Sequence, residues 1–469
     1  MIRIAFAVSF LSASMAIAAT DTVGPEQAKR INADVETILQ RTSTPGASIA
    51  IAEHSRIIYI KAYGLRDREQ RLPVKVDTYF EIGSITKQFT AAAILQLQEA
   101  GKLHIDDKLA TYLPDAPHAN EVTLRQMLSH TSGLPEYLDG PNIEQVASNP
   151  ATFDQLMARI AGKPLDFAPG SRWSYSNTGY ILLGRIIEII SHESYRDYVQ
   201  THLLKPAGMK HTFTTSDEAH LPNMAIGYRH ENEVVGRAPT ISETFGWSAG
   251  FLVSTVGDLE KWNDALMNGR IVTPADYALM STSVQTTKQG DAGYGLGLFV
   301  DSINEQPRVG HTGGSFGFTT ANEYFLKQQV QIIAFTNNGD NPEPGEMITT
   351  AIFNDLYPDI AATAALASPG EDAAVTASAK AVFAQLQKGV EISANLTARL
   401  NGKMKAGLAK RLAGEFAPYG HPSKFVFKGQ RSAANLKWFD YVIQFGPGSM
   451  LKFAIGLDAA GKVASMSFG

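Results

Sequence analysis

The sequence predicts an α/β (α+β) fold in which one sheet is assembled from both ends of a main domain, around an inserted helical region. Residues 47–63 contain two runs rich in β-branched residues around a short polar turn, which predicts a β-hairpin. Residues 105–270 alternate helical patterns with loops, and residues 294–336 return to strand patterns. Since strands occupy both ends and helices the middle, we expect a sheet flanked by helices with a helical lobe inserted between its two parts.

Two further segments lie outside this main domain. The chain begins with a short apolar run that ends in Ala16-Ile17-Ala18, a pattern typical of a cleaved secretory signal peptide. Residues 358–375 are rich in Ala, Ser, Pro and Gly, which predicts a linker. Helical patterns and then alternating strand patterns follow, which predict a small α+β module. The predicted parts are a signal peptide over 1–18, the main domain over 25–357, the linker over 358–375 and the module over 376–469.

Composition excludes several classes of function. The formal net charge is −5 with mixed signs, so nothing supports nucleic-acid binding. The chain has no cysteine, which excludes thiol catalysis and leaves the fold to be held by its core. Its 11 histidines show no metal-ligand spacing, so we predict neither a metal site nor a cofactor. No apolar run after the signal peptide is long enough to span a membrane, and the predicted location is periplasmic or secreted.

Ser84 and Lys87 lie three residues apart at the predicted start of a buried helix. Positions i and i+3 share one helical face, so the lysine amine can reach the serine oxygen. A serine becomes a nucleophile when a nearby amine with a lowered pKa takes its proton, and a helix N-terminus favours a developing oxyanion. The run over 89–97 is apolar almost all round, as in a buried helix. A polar pair at the head of such a helix indicates a catalytic role.

The same spacing occurs a second time at Ser449 and Lys452. We predict a strand there, and positions i and i+3 of a strand point to opposite faces, so this copy has no chemical use. The spacing alone is therefore weak support for catalysis. The first copy, Ser84 and Lys87, could also be a chance pair on a solvated helix face.

Two other polar clusters supply what Ser–Lys chemistry still needs. A phenol such as Tyr175, if held near the serine, can relay a proton to the leaving group. Asn177 can bond a substrate backbone group and the lysine. The two glycines after Thr312 would let a substrate lie against the strand edge. The backbone N–H groups of Ser84 and Gly314 would then form an oxyanion hole.

Three separated motifs thus occur in order: Ser84-x-x-Lys87, Tyr175-x-Asn177 and His311-Thr312-Gly313. They resemble the motifs of the penicillin-recognising serine hydrolases, in the branch of class C β-lactamases and D-alanyl-D-alanine carboxypeptidases that also includes esterases and D-aminopeptidases. The stretches 128–134 and 248–255 share the resemblance, which covers roughly residues 30–357. It implies a five-stranded antiparallel sheet, a helical lobe, and a site between them.

The resemblance also implies roles for individual residues. Ser84 would be the acylated nucleophile, and Lys87 and Tyr175 would share general-acid and general-base work. The implied substrate-binding residues are Asn177, His311, Thr312, Gly313 and Gly314. The chain departs from the β-lactamase pattern because His311 stands where those enzymes carry lysine. A histidine is only partly charged at neutral pH, which favours peptidase or esterase action over efficient β-lactam hydrolysis.

The sequence therefore predicts an exported serine hydrolase that acts through an acyl-enzyme on Ser84, with a small-molecule or peptide substrate. A non-catalytic penicillin-binding-like sensor or scaffold is the alternative. Individual residues also have simpler interpretations. Tyr175 and Asn177 could belong to a turn, and His311 could be a structural strand histidine. We assign His130 to structure, because a Thr-Ser-Gly turn follows it.

Overall fold

The computed structural model describes residues 22–231, 234–288, 290–340, 343–389 and 395–468. The predicted signal peptide, residues 1–18, lies outside the described residues. No helix in these ranges combines the length and apolar character needed to cross a bilayer.

The main sheet is antiparallel and is built from both ends of the main domain, as the sequence predicts. The two parts join where Gly46–Glu53 pairs with Val330–Thr336. Within the described residues the sheet has seven strands rather than the implied five, because short strands extend both edges. In spatial order they are Phe299–Ile303, Gln306–Gly314, Thr319–Phe325, Val330–Thr336, Gly46–Glu53, Arg56–Asp67 and Leu72–Pro73.

The two faces of the sheet are covered by different helices. Side chains alternate across a strand, so Ile49 and Ile51 pack with the helices Pro25–Arg41 and Pro344–Leu356, whereas Ala50 joins the core shared with the helical region. These two cores leave the sheet buried on both faces. The sheet is therefore a rigid support for the residues that lie at the ends of its strands.

The helical region is centred on Thr86–Glu99, which is buried on nearly all sides as predicted. A three-stranded sheet of Phe80–Glu81, Leu252–Ser254 and Phe213–Thr214 lies beside it. Hairpins are formed by Tyr228–Glu231 with Val234–Arg237 and by Gln285–Thr286 with Gly290–Asp291. The other α-helices are Leu124–Leu128, Ile143–Ala147, Phe153–Ala158, Asn177–Ser191, Tyr195–Tyr198, Lys205–Ala207, Glu243–Gly250, Val256–Met267 and Pro274–Met280.

The C-terminal segment forms an α+β module with its own core. Its helices are Ala373–Lys388, Ala398–Lys403 and Ala409–Phe416, and its antiparallel sheet contains Lys424–Ala433, Leu436–Gly446, Ser449–Leu457 and Val463–Phe468. Ser449 is buried while Lys452 is exposed, so the second Ser–Lys copy does point to opposite faces of a strand. The predicted linker is partly helical, over Pro358–Ala364. The domain boundaries themselves stay a prediction.

Candidate active site

Ser84 sits in a tight turn at the head of the central helix. Ser84 lies in the 3-10 turn Gly83–Ile85, which continues into the helix Thr86–Glu99, so it stands at the start of the buried helix as the sequence predicts. Gly83 has a φ of +49°, a left-handed conformation that favours glycine. A Cβ on Gly83 would lie 2.6 Å from the carbonyl oxygen of Gly314. The turn therefore packs directly against the end of the Gln306–Gly314 strand.

Lys87 is completely buried beneath this turn. Its Nζ lies 3.0 Å from Ser84 Oγ, 2.8 Å from Asn177 Oδ1 and 2.8 Å from the Ala249 carbonyl oxygen. Burial lowers the pKa of Lys87 from 10.5 to about 7, and the negative charge of Glu136 opposes this. At neutral pH a large fraction of the amine is therefore unprotonated.

This geometry leaves a proton acceptor facing the serine. A neutral amine has two N–H groups and one lone pair. The oxygens of Asn177 and Ala249 are placed to accept both hydrogens from Lys87. The lone pair is then left for the proton of the Ser84 hydroxyl, which is the arrangement a general base needs.

Tyr175 lies next to both of these groups. Its ring centroid is 4.8 Å from Lys87 Nζ. Its buried hydroxyl makes no hydrogen bond of ordinary geometry with the described residues. Burial raises the pKa of Tyr175 well above 10, and the nearby Ser84 side chain lowers it only in part. The phenol therefore keeps its proton at neutral pH and is available as a donor.

The Tyr175–Asn177 segment is held by the loop that contains residues 130–136. The backbone N–H of Ser176 donates to His130 Nδ1 at 3.1 Å. The N–H of Asn177 donates to Glu136 Oε2 at 2.6 Å. Ser176 also caps the helix that starts at Asn177, as its side chain accepts from the N–H of Gly179. These bonds fix the direction in which Asn177 reaches Lys87.

His130 belongs to a cluster of aromatic rings that packs against the site. Its ring centroid is 4.3 Å from that of Tyr175 and 4.6 Å from that of Tyr294. Burial holds the pKa of His130 well below its usual range, so the ring is neutral. This placement fits the structural role that the sequence indicates, although the residue it supports is Tyr175.

His311 does not have the predicted charge. It is buried, its Nε2 lies 2.9 Å from the Tyr294 hydroxyl, and its Nδ1 bonds the Thr312 carbonyl oxygen. Burial lowers the pKa of His311 to about 3, and the charge of Lys87 lowers it as well. The sequence leads us to expect a partly charged imidazole at neutral pH, whereas this burial leaves the ring neutral. The geometry favours the alternative of a structural strand histidine.

Gly313 and Gly314, at the end of the Gln306–Gly314 strand, lack side chains for two different structural reasons. A Cβ on Gly313 would lie 2.0 Å from the Ile82 carbonyl oxygen, so this glycine allows the strand to contact the nucleophile turn. A Cβ on Gly314 would meet nothing within 4 Å, which leaves open space for a substrate there. Pairing with the neighbouring edge strand ends at Gly310 and Phe299 in the described residues. The strand edge beyond Gly310 is thus available to a substrate backbone.

The structure brings Ser84, Lys87, Tyr175 and Asn177 together, with the 311–314 strand end beside them. Sequence reasoning missed Glu136, Ala249 and Tyr294. Ala249 lies in the 248–255 stretch that carries the family resemblance, which was the only signal for it. Glu136 and Tyr294 carried no signal, because neither lies in one of the three motifs.

Comparison with known proteins agrees with this geometry. The profile of the Beta-lactamase family matches residues 31–356, well over half of the chain. The chain belongs to the Beta-lactamase family. Family membership makes it a serine hydrolase with the β-lactamase and transpeptidase type of fold.

Three named proteins illustrate the similarity of other proteins to large parts of this Beta-lactamase family chain. It is 30% identical to the penicillin-binding protein PbpX of Bacillus subtilis (strain 168), over 69% of this chain and 78% of that protein. A D-stereospecific amidohydrolase from Streptomyces sp. is 27% identical, with a TM-score of 0.58 over 66% of this chain and 96% of the other. An octameric penicillin-binding protein homologue from Pyrococcus abyssi has a TM-score of 0.64 over 92% of this chain and 96% of the other. At 22% identity, that likeness shows the fold alone.

Proposed function

We propose that this protein is an exported hydrolase that forms an acyl-enzyme on Ser84 and acts on small peptides, amides or esters of D-amino acids. One observation carries the proposal. The Lys87 amine lies 3.0 Å from Ser84 Oγ, is buried, and has a pKa lowered to about 7. Burial of an amine destabilises its charged form, and this favours the unprotonated state that a general base needs beside the serine.

Acylation follows from this arrangement. Lys87 accepts the hydroxyl proton while Ser84 Oγ forms a bond to the substrate acyl carbon. The carbonyl oxygen becomes an oxyanion between the backbone N–H groups of Ser84 and Gly314, whose segments are in contact. The carbon–nitrogen or carbon–oxygen bond to the leaving group then breaks. The leaving group receives a proton from Tyr175, which regains one from Lys87.

Deacylation uses the same groups in reverse. Lys87 takes a proton from a water molecule, and the resulting hydroxide attacks the acyl carbon. The bond between that carbon and Ser84 Oγ breaks, and Oγ recovers the proton. The raised pKa of Tyr175 supports this division of labour, because a phenol that stays protonated is a donor and not a base. Lys87 is then the base in both halves of the reaction.

Two observations support the substrate class. Because His311 is neutral, the site carries no cation at the position where β-lactamases have lysine. Substrates that depend on a carboxylate contact, including β-lactams, would therefore be poor. The similarity to a D-stereospecific amidohydrolase supports amides of D-configured residues. Export rests on the N-terminal signal pattern and is tested by the mass of the chain recovered outside the cytoplasm.

The decisive experiment is covalent labelling. We expect the intact protein to gain the mass of one fluorophosphonate probe, with the adduct on Ser84 after proteolysis. Ser84→Ala should not react, whereas Ser449→Ala should react normally, because Ser449 belongs to the Ser–Lys copy split across a strand. Folded protein without an adduct on Ser84 would refute the proposal.

A substrate panel separates the catalytic proposal from the sensor alternative. Chromogenic D-alanyl and L-alanyl amides and esters are compared with a chromogenic cephalosporin. We expect turnover of D-configured amides or esters, abolished in Ser84→Ala, and weak turnover of the cephalosporin. Stable acylation without turnover of any substrate would favour a non-catalytic sensor.

A further inference from the structure

Trp247 has a backbone conformation that bulky residues rarely adopt. Its φ of +32° and ψ of −129° interrupt the helix Glu243–Gly250. These angles are close to the first central position of a type II′ turn, where Gly, Asn and Asp dominate. A bulky residue in such a conformation is strained, and the strain persists only where surrounding contacts impose it. Two residues later, the carbonyl oxygen of Ala249 binds Lys87, so the strain lies next to the proposed base.

The carbonyl group that follows Trp247 lies outside the helical hydrogen-bond pattern. In a continuous helix the carbonyl oxygen of Ser248 would accept the N–H of Leu252. That N–H donates instead to the Thr86 hydroxyl at 3.2 Å, and the Ser248 carbonyl accepts the Thr90 hydroxyl at 2.6 Å. Both threonines belong to the central helix. The break therefore binds this segment to the helix that carries the catalytic lysine.

The next carbonyl, that of Ala249, is one of the groups that surround the lysine amine. Its oxygen lies 2.8 Å from Lys87 Nζ. Together with Asn177 Oδ1, it can accept both hydrogens of the neutral amine. The lone pair is directed at Ser84 while both acceptors are in place. The direction of this carbonyl therefore helps to set the direction of the base, and the backbone at residues 247–249 sets the direction of the carbonyl.

The indole ring of Trp247 supports the strained backbone. It packs edge-on against the ring of Tyr195, with 5.7 Å between the centroids. Tyr195 is fully buried, and its hydroxyl donates to Thr90 Oγ1 at 2.5 Å, because the hydrogen of Thr90 is donated to the Ser248 carbonyl. The ring, the phenol, the threonine and the carbonyl thus form a closed chain of contacts that begins at residue 247 and ends at residue 248.

A close approach to the helix Asn177–Ser191 fixes the same segment from a second direction. A Cβ on Gly184 would lie 2.1 Å from Ser248 Oγ and 3.4 Å from Cζ3 of Trp247. A glycine there lets both side chains approach the helix closely. The Ser248 hydroxyl also donates to the Tyr180 carbonyl oxygen at 2.9 Å. Ring packing, two hydrogen bonds of Ser248 and this close approach therefore impose the strained conformation together.

We propose that Trp247 is a positioning residue for acyl transfer: its imposed backbone conformation directs the Ala249 carbonyl at the Lys87 amine and so keeps the lone pair facing the nucleophile. The inference rests on the function proposed above, because it concerns the orientation of the proposed base. It goes further by assigning a role to a residue outside the three motifs. The ring supplies the contact with Tyr195, and the backbone supplies the geometry.

Two substitutions separate the backbone conformation from the ring. Trp247→Gly and Trp247→Ala both remove the ring, but only glycine adopts a φ of +32° with little strain. Single-turnover acylation by a neutral p-nitrophenyl ester is measured under excess ester at pH 9, where Lys87 is mostly unprotonated. We expect the acylation rate constant to fall about tenfold in Trp247→Ala, as for a competent conformation populated about one tenth of the time, and by no more than about threefold in Trp247→Gly. The apparent Kd of the ester should not change.

Thr90→Val tests the chain of contacts without changing residue 247. It keeps the branched shape of the side chain and removes the hydroxyl between Tyr195 and Ser248. We expect its effect to be non-additive with that of Trp247→Ala, because both changes act on one local conformation. The double variant should therefore acylate about as slowly as Trp247→Ala alone. Thr376→Val, a buried threonine beside Tyr441 in the C-terminal module, is the matched control and should keep the rate constant.

A purely structural role for Trp247 gives a different result. In that case both substitutions lower Tm but leave the acylation rate constant unchanged, since under excess ester this constant is a property of the folded molecules. That outcome would overturn the proposal. A Trp247→Gly variant that acylates no faster than Trp247→Ala would overturn it as well. So would a change in the apparent Kd with an unchanged rate constant, because residue 247 would then act in substrate binding.

A measurement without catalysis separates this inference from the acyl-enzyme. Ser84→Ala protein with ¹³C-labelled lysine is titrated, and the Cε signal of Lys87 is followed by NMR. The Ala249 carbonyl accepts a hydrogen bond that also stabilises the charged amine, so its loss should lower the pKa of Lys87. We expect this lower pKa when Trp247→Ala is added, and no change when Thr376→Val is added.

The two proposals can therefore fail separately. A lowered pKa of Lys87 in a protein that fails the Ser84 labelling test would support the positioning role of Trp247 and reject the acyl-enzyme. Labelling at Ser84, with neither a lowered pKa nor a slower acylation in Trp247→Ala, would reject the positioning role and leave the acyl-enzyme.

Discussion

The pH dependence of acylation should follow the protonation of Lys87. A substitution of Glu136 should shift this pH dependence. Glu136 accepts the N–H of Asn177, and its negative charge raises the pKa of Lys87. Glu136→Gln keeps the side-chain volume and removes the charge. We therefore expect the pKa of Lys87 to fall in this variant, and the pH profile to move towards lower pH.

The magnitude follows from the environment of the amine. Burial lowers the pKa of Lys87 from 10.5 to about 7, which corresponds to about 5 kcal/mol against the charged form. The active, unprotonated fraction is then about one half at pH 7 and about one tenth at pH 6. Loss of an opposite charge nearby should lower the midpoint by about one pH unit in Glu136→Gln. The variant should therefore acylate several times faster, relative to its own plateau, at pH 6.

The assay is single-turnover acylation by a neutral p-nitrophenyl ester between pH 5 and pH 9. A neutral ester is used so that the substrate itself does not titrate. His311, with a pKa of about 3, and Tyr175, with a pKa well above 10, stay in one protonation state over this range. Asp154→Asn is the matched control, since Asp154 is an exposed carboxylate on the Phe153–Ala158 helix. Its profile should coincide with that of the unmodified protein.

Two outcomes would contradict this reasoning. A midpoint near 10 would mean that Lys87 behaves as an ordinary solvated lysine. An unchanged midpoint in Glu136→Gln, with the same Tm, would mean that Glu136 does not act on Lys87. A glutamine also presents an NH₂ group to one of two backbone donors, so Tm is measured for each variant.

Three further predictions concern stability and charge. In urea unfolding, Gly313→Ala should lower the free energy of unfolding by about 1–3 kcal/mol or more, because its Cβ would lie 2.0 Å from the Ile82 carbonyl oxygen. The matched variant Gly314→Ala should change this free energy by less than about 0.5 kcal/mol, because its Cβ would meet nothing within 4 Å. Between pH 7 and pH 10.5 the folded state binds fewer protons at Lys87 than the unfolded state does. The free energy of unfolding should therefore rise by about 2 kcal/mol from pH 7 to pH 9. Lys87→Met should not show this rise. Since His311 is neutral, kcat/KM for carboxylate and neutral substrates should share one pH profile from pH 5 to pH 8, and a separate fall for the carboxylate substrate alone would show a charged imidazole.

Much of the fold could be predicted because its signals are local. The hairpin over residues 47–63, the buried helix after Ser84 and the strands of the C-terminal module each follow from periodicity within one segment. The opposite directions of Ser449 and Lys452 followed from strand geometry in the same way. The number of strands in the main sheet did not, because the two-residue edge strand Leu72–Pro73 is defined by pairing and not by pattern.

In the candidate site, too, the contacts within one segment could be predicted and most contacts between distant segments could not. The spacing of Ser84 and Lys87 was enough to predict their contact, since both lie on consecutive turns of one segment. The partners of Lys87 across the chain, Asn177 and Ala249, are 90 and 162 residues away. The contact of Asn177 with the lysine was predicted from the chemistry of its polar cluster, whereas Ala249 was indicated only by the family resemblance of residues 248–255. Glu136 was not found, because its position depends on how the 130–136 loop packs.

The sequence by itself determined which chemistry the chain can carry out, because the identity and local spacing of a hydroxyl, an amine and a phenol follow directly from the order of residues. Only the tertiary structure decided the protonation states. Other segments exclude water around Lys87 and His311, and this burial lowers the pKa of Lys87 to about 7 and that of His311 to about 3. Desolvation is a property of the packed interior, so no pattern within one segment could have revealed that the lysine would become a base and the histidine would stay neutral.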